Sequence, residues 1–178
     1  MSHPAQPGRA DVIKCPFKAV FMITGGGTGF IDALLSPGGA SSFCLEAIVP
    51  YSYTSLTNWL AGTPDKAVSC ETAIQMATQA LSRASILAPA EPKSLLLGVG
   101  VTASLACENQ RIGRENHAHM CIACYINETQ VITISHHIDC ASFGQRHQQE
   151  MELEYWIMIQ LARFIVTQHE RLSNATYP

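Results

Sequence analysis

Charged residues are scarce in this chain. They make up 14% of its 178 residues, the formal net charge is -3, and the eleven lysines and arginines form no run. A chain with 47% hydrophobic residues and so little charge is not expected to be disordered. Without a basic patch, it is not expected to bind nucleic acid. At this length, one domain with one core is the default.

Long apolar runs are also missing. The apolar stretch at residues 94–101 is much shorter than the roughly 18 residues that a membrane-spanning helix needs. Residues 1–10 contain no apolar segment of the kind found in secretion signals. We therefore expect a soluble, cytoplasmic protein with no membrane partner.

The cysteines do not suggest a disulfide framework. Their number, seven, is odd, and they are spread along a chain large enough to fold without cross-links. We expect reduced thiols that act as small buried apolar side chains. His117, His119, Cys121 and Cys124 raise the question of zinc, but alternation along a strand places the two cysteines on opposite faces. The sequence thus predicts no metal site and no cofactor.

The order of strand-like and helix-like segments predicts one α/β domain. Residues 1–13 are expected to form a loose N-terminal arm, and residues 14–178 a single domain. Hydrophobic periodicity and the glycine and proline breaks predict strands at 17–24, 45–52, 94–101, 117–126 and 130–136, and helices at 30–35, 54–60, 70–87 and 142–172. Strands alternate with helices before a hairpin, which predicts a three-layer α/β/α sandwich on a mixed, mainly parallel sheet.

Two of the predicted helices carry an apolar stripe that indicates core packing. Ser69 is the expected N-cap of helix 70–87, whose stripe consists of Ala73, Met76, Ala77, Ala80, Leu81 and Ala84. The stripe expected in helix 142–172 consists of Met151, Tyr155, Met158, Ala162, Ile165 and Val166. The acidic residues of the same helix, Glu150, Glu152 and Glu154, are expected to form a solvated face.

Three polar turns, each after a predicted strand, form the candidate ligand site. The candidate residues are Gly25, Gly26, Gly27, Tyr51, Ser52, Thr102 and Ser104. Parallel neighbouring strands end at one edge of a sheet, where open α/β sheets bind ligands. A glycine loop before a helix presents backbone N–H groups to an anion or a carbonyl oxygen, although it can equally be a tight turn and nothing more. We expect a small molecule in a crevice shared by these turns, with Arg146 directed either towards it or into solvent.

A series of short motifs resembles the CinA C-terminal domain family. The motifs are Thr24-Gly25-Gly26, Pro37-Gly38-Gly39-Ala40-Ser41, Val49-Pro50-Tyr51-Ser52, Ala67-Val68-Ser69 followed by Ala73, Met76 and Ala77, and Val101-Thr102-Ala103. The resemblance extends over residues 17–166 and looks closest to a CinA-like domain found beside nucleotidyltransferase-like domains in some eukaryotic proteins. It implies an α/β/α sandwich and a homo-oligomer. It also implies descent from nicotinamide-nucleotide amidohydrolases, which convert nicotinamide mononucleotide into nicotinic acid mononucleotide and ammonia.

The resemblance implies a serine nucleophile and a lysine base, and the sequence departs from both. Counting back from the Tyr-Ser motif without gaps places Thr24 at the serine position, whereas aligning the glycines places Met22 there. Leu56 occupies the lysine position. By the same resemblance, Thr102 and Arg146 match family residues that contact a ligand.

Two hypotheses about function follow from these positions. In the first, the chain is an amidase of nicotinamide nucleotides with Thr24 as the nucleophile. In the second, it is a non-catalytic nucleotide-binding or assembly module. The expected ligand is a small-molecule nucleotide, although in the second hypothesis the crevice can also be vestigial.

Overall fold

Helices and strands follow the predicted order. The structure, a computed structural model, describes residues 7–60, 62–108 and 112–175. The helices are α1 (Arg9–Lys14), α2 (Gly29–Leu35), α3 (Tyr53–Leu60), α4 (Cys70–Leu87) and α5 (Arg146–Ala175). The strands are β1 (Lys18–Thr24), β2 (Cys44–Ile48), β3 (Leu96–Ser104), β4 (His117–Tyr125) and β5 (Val131–Asp139). No helix in the described ranges combines the length and the apolarity needed to cross a membrane.

The strands form one five-stranded sheet in the order β2-β1-β3-β4-β5. β1 pairs in parallel with β2 and β3, whereas β4 pairs antiparallel with β3 and β5. The predicted hairpin is present, and the side-chain oxygen of Asn127 accepts hydrogen bonds from the N–H groups of Thr129 and Gln130 in its turn. The mixed sheet is confirmed. Its parallel and antiparallel pairings are equal in number, so it is less parallel than predicted.

Helices cover both faces of the sheet, which confirms the three-layer sandwich. On one face, Leu56 of α3 and the apolar stripe of α4 pack against Val20 and Met22 of β1. On the other face, buried side chains of α1, α2 and α5 pack against alternate residues of β1, β3 and β4. Strand β3 is covered by α4 on one face and by α5 on the other. It is therefore apolar on both sides, as the run at residues 94–101 indicated.

Helix α4 lies unusually close to β3. The helix begins where the sequence predicts, with the Ser69 hydroxyl accepting a hydrogen bond from the Thr72 N–H. A Cβ atom added to Gly98 would lie 2.1 Å from the Ala77 carbonyl oxygen, and one added to Gly100 would lie 2.4 Å from the Ala73 carbonyl oxygen. The small residues of strand and helix thus allow the two backbones to approach each other.

The N-terminal arm is more ordered than predicted. Residues 1–6 lie outside the described residues, but α1 contains a fully buried Val12. Nε of Arg9 donates to the Leu34 carbonyl oxygen at 3.0 Å, and Nη2 donates to the same oxygen at 2.8 Å. The expected loose arm is therefore wrong for residues 9–13, because one apolar side chain and one guanidinium attach this segment to the domain.

The last helix is present, and its buried face differs in part from the predicted one. Met158, Ala162 and Ile165 of the predicted stripe are buried as expected. It begins at Arg146, after a short 3-10 turn at Ala141–Phe143. Met151 and Tyr155 are 57% and 56% exposed, whereas Leu153 and Ile157 are fully buried. The two sets form neighbouring stripes on one helix, and contact with the rest of the domain determines which of them is buried.

Candidate functional site

The three predicted turns meet at one edge of the sheet. They follow β1, β2 and β3, which are parallel neighbours, so their carboxyl ends coincide. Oγ1 of Thr24 donates a hydrogen bond of 2.9 Å to the Pro50 carbonyl oxygen, which connects the first turn to the second. A Cβ atom on Gly25, whose φ is +79°, would lie 1.9 Å from the Ala103 carbonyl oxygen, so the first turn also contacts the third.

Thr24, the candidate nucleophile, lies beneath this junction. It is 6% exposed, and its hydroxyl is used in the bond to Pro50. Met22, the residue that the alternative alignment places at the serine position, is fully buried in the apolar layer beneath α4. Leu56, at the lysine position, is 3% exposed in the same layer. None of these three positions presents a basic group to the crevice.

The glycine loop holds a carboxylate of its own chain. Oε1 of Glu150 accepts hydrogen bonds from the backbone N–H groups of Gly27, at 2.9 Å, and Thr28, at 3.0 Å. Its other oxygen, Oε2, is buried without a hydrogen-bond partner and would lie 3.1 Å from a Cβ atom on Gly26. These two N–H groups are among those expected to bind a ligand, and in this structure an intramolecular anion binds them instead.

Sequence reasoning missed Glu150, which it placed on a solvated face. The contact joins residues 123 positions apart, and a spacing pattern along one helix carries no information about such a distant partner. Glu154, one turn later, approaches the same loop, since its Oε2 would lie 2.5 Å from a Cβ atom on Gly29. Two of the three glutamates therefore face the start of α2.

The second turn caps a helix. Oγ of Ser52 accepts a hydrogen bond from the Ser55 N–H at 3.1 Å, and the Ser52 carbonyl oxygen accepts one from the Leu56 N–H. The hydroxyl thus caps the first turn of α3. Tyr51 is 67% exposed, so its ring is open to a ligand or to solvent.

The polar side chains of the third turn bind neighbouring segments. Oγ1 of the fully buried Thr102 donates to the Ala67 carbonyl oxygen at 2.6 Å. Oγ of Ser104 accepts a hydrogen bond from Nε of Arg114 at 2.8 Å. Both predicted residues lie at the expected edge, with their hydroxyl groups in contact with the protein itself.

Arg146 lies beside an open cavity at this edge. Its guanidinium donates to the carbonyl oxygens of Gly25 and Ala106, at 3.4 and 3.3 Å, and so bridges the first and third turns. The cavity has a volume of about 500 Å³ and is lined by Ala106, Cys107, Glu108, Gln145, Arg146 and His147. We call this cavity the Arg146 crevice. The Gln149 side chain holds one wall, because its Oε1 accepts a hydrogen bond from the Ala106 N–H at 2.7 Å.

A row of polar side chains crosses the sheet and continues into a group of histidines. Thr24, Thr102, His119 and His137 occupy matching positions on neighbouring strands. The ring centroids of His119 and His137 are 4.8 Å apart, and those of His117 and His119 are 5.2 Å apart. Burial, reinforced by these two neighbours, lowers the pKa of His119. Within the described ranges, no group of three or more His, Cys, Asp or Glu residues is arranged to hold a metal ion.

The cysteine pair behaves as alternation predicts. Cys121 packs in the layer beneath α4, and Cys124 packs in the layer beneath α5. Burial raises the pKa of both thiols to about 11, so both are protonated near neutral pH. A redox or metal-thiolate role would need the thiolate form, which this burial disfavours.

Comparison with solved structures identifies the fold. A competence/damage inducible protein from Agrobacterium tumefaciens matches with a TM-score of 0.62 and 16% identity, over 92% of this chain and 99% of that one. A CinA superfamily protein from Klebsiella pneumoniae matches with a TM-score of 0.64 and 14% identity, over 89% of this chain and 92% of that one. A CinA superfamily protein from Enterobacter cloacae matches with a TM-score of 0.60 and 14% identity, over 94% of this chain and 96% of that one.

Comparisons with family models and with curated proteins give no match. The structural matches nevertheless cover nearly the full length of both partners. This chain therefore has the fold of the CinA superfamily structures.

Proposed function

We propose that this chain belongs to the CinA family and binds a pyridine-nucleotide-like ligand without hydrolysing its amide. The shared fold supports the family, as do motifs such as Thr24-Gly25-Gly26 and Val101-Thr102-Ala103. One observation carries the non-catalytic part of the proposal. The hydroxyl at the candidate nucleophile position is buried and donates its hydrogen bond to the Pro50 carbonyl oxygen.

Amide hydrolysis by a hydroxyl needs a base that can take its proton. The carbonyl oxygen of Pro50 accepts a hydrogen bond from Thr24 but does not act as a base. Leu56 lies at the position where the family resemblance implies lysine, and an aliphatic side chain can neither accept a proton nor stabilise an oxyanion. The Thr24 hydroxyl therefore lacks the partner that would make it a nucleophile at neutral pH.

The Arg146 crevice supports ligand binding. Its volume of about 500 Å³ lies in the range of small-molecule sites, roughly 300–1,000 Å³. A guanidinium presents paired N–H donors that match a phosphate group. Glu108, which also lines the crevice, provides a negative charge that suits the cationic pyridinium ring of nicotinamide mononucleotide.

Calorimetric titration with nicotinamide mononucleotide tests the binding. We expect saturable binding to the unmodified chain and about tenfold weaker binding to Arg146→Gln, because a charge-assisted pair is lost. Lys66→Gln is the control, since Lys66 is an exposed cationic residue that does not line the crevice. Its affinity should equal that of the unmodified chain.

An ammonia assay on the same samples tests catalysis. We expect no ammonia above the protein-free blank. Ammonia release that depends on the nucleotide and disappears in Thr24→Ala would show an amidase and overturn the non-catalytic proposal. Absence of saturable binding, or weakening by Lys66→Gln in place of Arg146→Gln, would overturn the site. The homo-oligomeric state and the cytoplasmic location stay predictions.

A further inference from the structure

A second groove lies between the edge strand β5 and the last helix. It has a volume of about 270 Å³, and its lining includes Ile134 and His136 of β5 and Arg163, Phe164, Thr167 and Arg171 of α5. Arg163 and Arg171 are eight residues apart, so they project from the same side of the helix with Thr167 between them. Two guanidinium groups and one imidazole thus border a single groove.

The charge of this groove is not compensated by neighbouring carboxylates. None of its lining residues is acidic. The ion pair in the described part of the chain, Arg83 with Glu46, lies elsewhere, and neither Arg163 nor Arg171 has a carboxylate within ion-pair distance there. The chain as a whole carries a formal charge of -3, so this positive groove contrasts with the average surface.

The positive charge of the groove affects the pKa of His136. Burial is the main cause of its lowered pKa, and the nearby charge of Arg163 lowers it further. A bound anion would oppose both effects by favouring the imidazolium form. An anion in this groove would therefore make protonation of His136 more favourable.

The groove continues into an apolar hollow. This second hollow has a volume of about 220 Å³ and shares Phe164, Gln168 and Arg171 with the first. Its further lining includes Phe17, Cys124 and Ile126, and Arg171 is its single charged lining residue. Phe17 precedes β1, so the hollow lies at the amino-terminal edge of the sheet, opposite the Arg146 crevice.

We propose that the groove and the hollow together form a second ligand site, for a phosphate monoester with an apolar or aromatic body. The phosphate binds between the two arginines, because a doubly charged group suits two guanidinium groups that lack carboxylate partners. The body of the ligand removes the apolar surface of Ile126, which is 50% exposed, from water. We call this the α5 groove site.

The decisive experiment is calorimetric titration with phenyl phosphate, with inorganic phosphate and phenol as separate probes. We expect phenyl phosphate to bind about tenfold more tightly than either fragment, because it alone fills both parts of the site. Arg163→Gln and Arg171→Gln should each weaken the binding of phenyl phosphate about tenfold. Both residues are exposed, so neither substitution should affect folding.

Two further variants separate this proposal from its alternatives. Ile126 is 50% exposed, so Ile126→Ser should weaken phenyl phosphate several-fold and leave inorganic phosphate unchanged. Lys66→Gln, which removes an exposed charge that lines neither the groove nor the hollow, should leave phenyl phosphate binding unchanged. The proposal is overturned if phenyl phosphate does not saturate, if it binds no more tightly than phosphate, if either Arg163→Gln or Arg171→Gln is without effect, or if Lys66→Gln weakens it equally.

Discussion

At the scale of single residues, the structure shows polar groups satisfied by the protein itself. The hydroxyls of Thr24 and Thr102 donate to backbone carbonyl oxygens, and the Glu150 carboxylate binds the glycine loop. The sequence could predict Thr24 and Thr102 as neighbours, because both lie at strand ends, whereas it left the direction of Arg146 open. It could not predict Glu150, because the partner of a carboxylate depends on how α5 docks onto the loop.

The role of Glu150 can be measured through stability. Replacing it with alanine leaves the N–H groups of Gly27 and Thr28 without their acceptor, and an unsatisfied buried donor costs about 1–3 kcal/mol. We expect Glu150→Ala to lower the free energy of unfolding by about 2 kcal/mol in urea titrations. Glu152→Ala, in which an exposed glutamate two residues away is removed, is the control and should change it by less than about 0.5 kcal/mol. Equal losses in the two variants would show that the loop does not depend on this carboxylate.

At the scale of elements, strands and helices were predictable where local signals were strong. Helix α4 begins and ends as predicted, because Ser69 caps it and a stripe of alanines marks its buried face. The buried face of α5 was predicted correctly at Ala162 and Ile165. It was predicted wrongly in the first turns, because Met151 and Leu153 belong to neighbouring stripes that both have helical spacing. The spacing of apolar residues along a helix does not show which of two such stripes contacts the rest of the domain.

The close packing of α4 on β3 gives a prediction at this scale. A methyl group on Gly98 would lie 2.1 Å from the Ala77 carbonyl oxygen and 2.2 Å from the Leu81 nitrogen, so the backbone of α4 would have to move. We expect Gly98→Ala to destabilise the domain by about 3 kcal/mol, the upper part of the range for overpacked cores. Gly62→Ala is the matched control, because no atom lies within 4 Å of the added Cβ. An unfolding midpoint in Gly98→Ala equal to that of the control would refute the close contact.

At the scale of the whole molecule, the fold is shared with structures whose sequences differ widely from this one. The matched structures share only 14–16% of their residues with this chain, yet they cover 89–94% of it. The three turns still meet, because that depends on strand order and on small residues such as Gly25. Side chains at the proposed nucleophile and base positions do not affect strand order, so they can change without loss of the architecture. Sequence patterns could therefore predict the three-layer sandwich more fully than the function of the sheet edge where the three turns meet.

The stability of the whole domain should depend on pH through two histidines. Burial lowers the pKa of His119, next to His117 and His137, and also that of His136, beside Arg163. In the unfolded chain, the pKa of a histidine is about 6.5. The unfolded chain therefore binds these protons at a higher pH than the folded chain does. The free energy of unfolding should accordingly decrease as the pH falls from 7.5 to 5.5, with a slope of about 1.4 kcal/mol per pH unit for each extra proton bound by the unfolded chain.

Urea titrations across this pH range measure the slope directly. His119→Gln and His136→Gln should each reduce it, because each removes one group that is harder to protonate in the folded state. His147→Gln, which replaces an exposed histidine of the Arg146 crevice, is the control and should leave the slope as it is in the unmodified chain. If the free energy of unfolding does not change with pH, or if its slope is unchanged in the double variant His119→Gln/His136→Gln, these two imidazoles do not couple folding to pH. A slope that decreases in both single variants would mean that protonation opposes the packing of β4 and β5, the strands that carry these two side chains.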